Sequence, residues 1–338
     1  MKTSSLRSRA ILLCSVIIVF NSLITTNVLG WQDKSKKPTF PEAEIKAVKA
    51  LEAATDVSAK FVAAEVFVKK YPASKLRPQL VQYMANQVFG LTDPNQKLAM
   101  GQKYIALFPE PADAKFVQPA LIDSYIKLGR FDEAFDTGAS YLANDAEEVE
   151  VRVLLALSGA DLVRKQNVKH MKVSGEYGAK AIELIEADKK PTTMDNDTWV
   201  KEKTLLPILY QQMAIISLVA QNPSEAEVKL EKAAKLNPAD PFNYALLGGI
   251  TNNDYQTMAV SVRGMPDSKS KQDLLARANQ TLDKVITQYA RAAALAEGKP
   301  QYKPLYDQVM QDLTAYYKYR HNNSVEGLQK YIDGYKTP

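Results

Sequence analysis

From Pro41 onward, apolar residues recur at helical spacing and alternation of the strand type is absent. Val, Ile and Thr are scattered through Ala-, Leu-, Lys- and Glu-rich stretches instead of clustering in short alternating runs. The pattern therefore predicts an all-α chain. Between Pro207 and Gly249 it resolves into units: Tyr210, Met213 and Ala214 share one helix, Ala226, Leu230 and Ala233 the next, and Tyr244, Leu247 and Gly248 begin a third. Candidate ends of second helices fall at Tyr71-Pro72, Phe108-Pro109, Asn144-Asp145, Lys190-Pro191 and Asn237-Pro238, at intervals of 37, 36, 46 and 47 residues. Further on, a helix should end near Arg263 and a polar loop with Gly264 and Pro266 should follow. A long helix is expected from Lys271 to Glu297, with Leu274, Leu275, Ala278, Leu282, Val285, Ile286, Tyr289 and Ala293 on one face. Two more are expected at Tyr302–His321 and Ser324–Tyr335.

The spacing in 207–249 resembles the tetratricopeptide repeat, a helix–turn–helix unit of about 34 residues with small residues where its helices meet. Leu121, Tyr125, Gly129, Phe131 and Ala134, with the turn LGRFDEA, resemble the same unit, which is departed from at Gly138, Tyr141 and Ala146. KFVAAEVFVKKYPAS is similar to the second helix of repeats in cell-envelope proteins. The resemblance implies a right-handed superhelical solenoid over 41–252, with 253–338 as a C-terminal helical cap, because the last unit of a stack otherwise exposes an apolar face.

The N-terminus changes the reading of composition. Lys2, Arg7 and Arg9 precede an apolar run from Ala10 to Ile24, and Val28 and Gly30 supply small residues before Trp31. This is the layout of a signal peptide spanning 1–30, cleaved before Trp31, followed by a flexible lead-in at 31–40. The mature protein would then be periplasmic or secreted, without a stable membrane span. Removing that leader takes away three basic groups, no acid and the single cysteine, Cys14, so the net charge falls from +5 to +2. A near-neutral mature chain argues against a nucleic-acid groove. Without cysteine, stability must come from apolar packing.

Catalytic signatures are missing: there is no phosphate-binding glycine loop, no G-x-S-x-G and no H-E-x-x-H. His170 and His321 lie too far apart in sequence to suggest a metal pair, and Ser268-x-x-Lys271 lacks companion motifs. No cofactor or metal site is expected, and no catalytic residue is assigned. In the repeat family, ligands usually lie along the face made by first helices. Carried onto this chain, the resemblance implies Asp123, Lys127, Gln211, Asn252 and Asn253 as partner-binding positions, with envelope proteins or peptides as partners. Asp123 and Lys127 also stand four apart, the spacing of a simple helical ion pair. Seven of the seventeen tyrosines lie between Tyr302 and Tyr335. Tyr306, Tyr316 and Tyr317 fit a packing stripe, whereas Tyr319 and Arg320 fall off it and could form an aromatic surface for a glycan or peptide. The expected function is an exported, non-catalytic scaffold for protein–protein interactions in the bacterial cell envelope; the alternative is a glycan- or peptide-binding protein using that tyrosine-rich end.

Overall fold

The computed structural model describes residues 40–336 except 144 and 193. The expected signal peptide and most of the lead-in lie outside these residues. Every regular element among them is helical. The chain divides into two compact units, the first ending at Asn144 and the second starting at Asp145.

The first unit contains α1 (Glu42–Glu52), α2 (Val57–Lys70), α3 (Arg77–Phe89), α4 (Pro94–Leu107), a single turn α5 (Pro111–Ala114), α6 (Gln118–Lys127) and α7 (Phe131–Leu142). Sequence neighbours pack in pairs: α1 with α2, α3 with α4, α6 with α7. The second helices α2 and α4 end alike. Tyr71 and Phe108 each donate their backbone N–H to the carbonyl four residues back and set their rings 5.2 and 5.0 Å from Phe67 and Tyr104. The proline that follows cannot continue the helix. Buried Phe67, Met84, Tyr104, Phe108 and Leu121 belong to one continuous core.

The second unit contains α8 (Glu150–Arg164), α9 (Met171–Glu186), α10 (Asn196–Thr204), α11 (Leu206–Val219), α12 (Pro223–Leu236), α13 (Pro241–Arg263), α14 (Lys269–Ala296), a 3-10 turn at Pro300–Tyr302, α15 (Lys303–Arg320) and α16 (Leu328–Asp333). Here α8 pairs with α9, α11 with α12 and α13 with α14. The sequential helix pairs pack as expected for tetratricopeptide-type units. Several begin with the same device: Asn222-Pro223 and Asp240-Pro241 cap α12 and α13 with a side-chain acceptor and put proline in the first turn, where no intrahelical N–H is missed. Of the residues that marked these units, Tyr210, Met213, Ala214, Ala226, Leu230, Ala233, Leu247 and Gly248 are buried and Tyr244 is half-buried.

Some expectations need correction. The helix before Pro191 stops at Glu186, because Asp188 takes a left-handed φ of 51° and the N–H of Lys189 returns to the Leu184 carbonyl. The 47-residue interval that follows contains an added helix, α10, anchored by buried Trp199. The boundary placed between Asn252 and Asn253 falls inside α13, which runs unbroken to Arg263. Thus α13 and α14 form one long pair, and no break separates repeat from cap there. On α14, Leu275 is exposed rather than packed. The last helix is shorter than expected, because Asn322, Asn323 and Gly327 adopt positive φ and hold the chain in turns until Leu328.

Candidate functional site

In the second unit, α11 (LPILYQQMAIISLV) is apolar almost all round and largely buried, touching α8, α9 and α12. One narrow stripe is left over. Ile208 and Val219 are 45% and 44% exposed, and Ile215 is half-buried. Spacings of seven and four residues bring these three onto one side of the helix, together with Gln212.

Polar side chains flank this stripe and tie α11 to both neighbours. On one edge, Arg164 of α8 donates to the Gln212 carbonyl oxygen and pairs with Asp161 at 3.4 Å. On the other, the Gln211 amide donates to Asp240 at 3.0 Å and to Asn243 at 2.8 Å. The Gln212 amide links the two halves by donating to Gln211 Oε1 at 3.3 Å. A polar seam therefore crosses α8, α11 and the start of α13. Gln211, Gln212 and Asn243 are buried, and their mutual hydrogen bonds satisfy groups that would otherwise cost about 1–3 kcal/mol each.

The residues singled out from sequence are divided between the two units. Asp123 and Lys127 lie on α6 of the first unit as a 2.6 Å ion pair, with the Asp123 side chain 13% exposed. Burial holds the nearby Lys97 ammonium below its ordinary range, against the pull of Asp123. Gln211 is occupied within the seam rather than open to a partner. Asn252 sits nine residues beyond Asn243 on α13, about 13 Å along the helix, and accepts from the Tyr316 hydroxyl at 2.8 Å. Asn253 is exposed and its carbonyl accepts from Thr257. The stripe of Ile208, Ile215 and Val219 was not singled out. Within so apolar a segment, three outward positions look the same as inward ones.

At the C-terminal end, Tyr317 is buried and Tyr306, Tyr316, Tyr331 and Tyr335 pack against the same core as α14 and α15. Tyr316 meets Tyr255 edge-on at 5.9 Å and receives the Gln256 amide at 3.1 Å. Tyr319 is 63% exposed, as its position off the stripe implied. Arg320 is committed: its Nε and Nη2 donate to the two oxygens of Asp283 at 2.7 and 3.0 Å. The histidines are far from each other in sequence, His170 opening α9 and His321 following α15. Among the described residues, no group of three or more His, Cys, Asp or Glu side chains is arranged to hold a metal ion, and no helix is long and apolar enough to cross a membrane.

No family description and no curated relative matches the chain. Solved structures with some likeness include a tetratricopeptide repeat protein from Parabacteroides merdae, at 12% identity and a TM-score of 0.38 over 80% of this chain and all of that one. A thermophilic TPR protein from Thermus thermophilus is similar at 16% identity, with a TM-score of 0.34 over 69% of this chain and 98% of its own. PilF of Pseudomonas aeruginosa is similar at 14% identity and 0.36, over 75% of this chain and 95% of its own. Identities this low leave those proteins' activities with those proteins.

Proposed function

We propose that this protein is an exported, non-catalytic scaffold that holds extended peptide segments of cell-envelope proteins. The observation that carries the reading is the surface of α11. Exposed Ile208, half-buried Ile215 and exposed Val219 form an apolar line, bordered by the Arg164–Gln212 contact on one side and the Gln211–Asn243–Asp240 contacts on the other. An extended peptide presents alternating side chains and unpaired backbone groups. Apolar side chains would lie on the stripe, while the guanidinium and carboxylate at its borders would meet backbone carbonyls and amides. Export rests on the basic, apolar and small-residue order of residues 1–30.

The test is affinity capture from envelope extract of the host, using residues 31–338 and the double variant Ile208→Glu, Val219→Glu. Both positions are exposed, so the charges should leave the fold intact. A reproducible protein partner lost in the variant supports the reading. A partner indifferent to the variant, or none, refutes this face as the binding surface. N-terminal sequencing of the protein from its host checks cleavage before Trp31.

A further inference from the structure

In the second unit, a cavity of about 240 Å³ lies between α14 and the α15–α16 end, lined by Asp283, Ile286, Thr287, Tyr317, His321 and Tyr331. Its charge is balanced. The Asp283 carboxylate is matched by the two-pronged Arg320 contact, so a free cation placed there would sit beside a guanidinium and gain little. His321 Nδ1 lies 2.9 Å from the Tyr317 carbonyl. A carbonyl can only accept, so Nδ1 carries a proton and Nε2 is the ring nitrogen left to meet a ligand.

Hydrogen bonds within the wall fix the remaining polarity. Thr287 donates to the Asp283 carbonyl at 2.9 Å. Its 2.9 Å contact with the Tyr331 hydroxyl therefore has Tyr331 as donor. Tyr335 in turn donates to Tyr331 at 3.3 Å. Each hydroxyl proton in this relay is already spent. What the relay leaves is lone pairs, on Thr287 Oγ1 and on the Asp283 carboxylate, with His321 Nε2 beside them. A wall of acceptors disfavours an anion, and the Asp283–Arg320 balance disfavours a cation. The complement is a neutral molecule rich in O–H donors.

The apolar part of the lining agrees. Ile286 and Tyr317 are buried behind the wall, and the half-buried Tyr331 ring and the exposed His321 ring, which stacks on Tyr317 at 3.8 Å with planes 9° apart, offer surface for C–H groups. The volume falls below the roughly 300 Å³ at which sites for drug-sized ligands begin. It holds one small ring. We propose that this cavity binds a single neutral sugar ring, either a free monosaccharide or the end residue of a glycan. The site is separate from the α11 stripe and does not depend on peptide binding there.

Saturation-transfer NMR on residues 31–338 tests it directly. The probes are the methyl glycosides of glucose, galactose and mannose and of N-acetylglucosamine, each at about 10 mM, which occupies any site with a millimolar Kd. Expected is transfer to ring C–H protons of at least one probe. His321→Phe, which keeps a ring on Tyr317 but removes Nε2, and Thr287→Val, which keeps shape but removes the hydroxyl, should each weaken binding about fivefold with thermal midpoints near the parent's. Having two variants guards against one that misfolds. No transfer from any of the four sugars overturns the proposal, as does transfer unchanged in both variants, or transfer to lysine amide or acetate in place of sugar. For the sugar that binds, comparing the monosaccharide with its trisaccharide separates free sugar from chain end.

Discussion

Two adjacent glycines on α13 offer a test of how closely the helix pairs approach. A Cβ built on Gly248 would stand 2.5 Å from both Cδ1 and Cε1 of Tyr289 and 3.4 Å from the Gln288 Cβ, whereas one on Gly249 would meet nothing within 4 Å. Carbon atoms pack at about 3.5–4.0 Å, so Gly248→Ala is short of room by about 1 Å against a ring. Tyr289 is 5% exposed and packs with Leu282, Val285 and Ile286, so the ring has little freedom to withdraw. Overpacking of this kind costs about 1–3 kcal/mol. It is offset by about 1 kcal/mol from replacing a mid-helix glycine with alanine. Gly249→Ala receives only that gain. The two variants should therefore differ by about 1–3 kcal/mol, with Gly249→Ala above the parent and Gly248→Ala at or below it. For a unit of this size that is about 2–4 °C per kcal/mol. Urea and thermal unfolding followed by Trp199 emission in a Trp31→Phe background reads the second unit alone. Equal stability of the two alanine variants would refute the close approach of α13 and α14 at Gly248.

Three further outcomes are expected. Burial, together with the nearby Glu150 carboxylate, pushes the Glu202 carboxyl up to about 7, and its Oε2 has no hydrogen-bond partner. Because the folded value lies above the unfolded one, stability from this group is complete below about 4.5 and falls as pH rises through 7; a Tm scan from pH 5 to 8 should slope down for the parent and less for Glu202→Gln, and parallel slopes would contradict this. Asp188 accepts from the Trp199 indole and from Lys203, both at 2.9 Å, so Asp188→Ala should lower the urea midpoint and alter Trp199 emission, and an unchanged emission spectrum would contradict the indole contact. Asp93 caps α4 through the Gln96 N–H at 2.8 Å, and Asp93→Ala should cost about 1 kcal/mol, lowering the thermal midpoint of the first unit.

What could be read from sequence is what depends on near neighbours. The helix ends at Tyr71-Pro72 and Phe108-Pro109 were legible because an aromatic four residues back, a capping carbonyl and a proline all lie within six positions. The α11–α12 pair was legible because its small and large positions repeat at fixed spacing. By contrast, α10 carries only Trp199 as a large apolar anchor in a polar segment, and its existence depends on packing that residue into a core contributed by α8, α9 and α11. Arg320 looked free because its partner, Asp283, lies 37 residues earlier on another helix. Gln211 looked like a ligand group for the same reason: its acceptors, Asp240 and Asn243, come from the next pair.

That buried seam sets α11 against its neighbours in a way apolar packing cannot, since a shift of either helix would strand amide groups away from water. The consequence can be measured. Gln211→Leu removes the donor to Asn243, which is 1% exposed, and takes away the acceptor of the Gln212 amide, so it should cost about 1–3 kcal/mol. Asn243→Leu leaves Gln211 its bond to Asp240 and should cost less. In the double variant the Gln211–Asn243 contact contributes no stranded atom, because neither partner remains to need the other. The double variant should therefore be less destabilised than the two singles combined by about 1 kcal/mol, well outside the few tenths within which independent sites add. Additive losses in urea unfolding would mean that the two amides are satisfied separately and that the register of α11 against α13 rests on apolar packing alone.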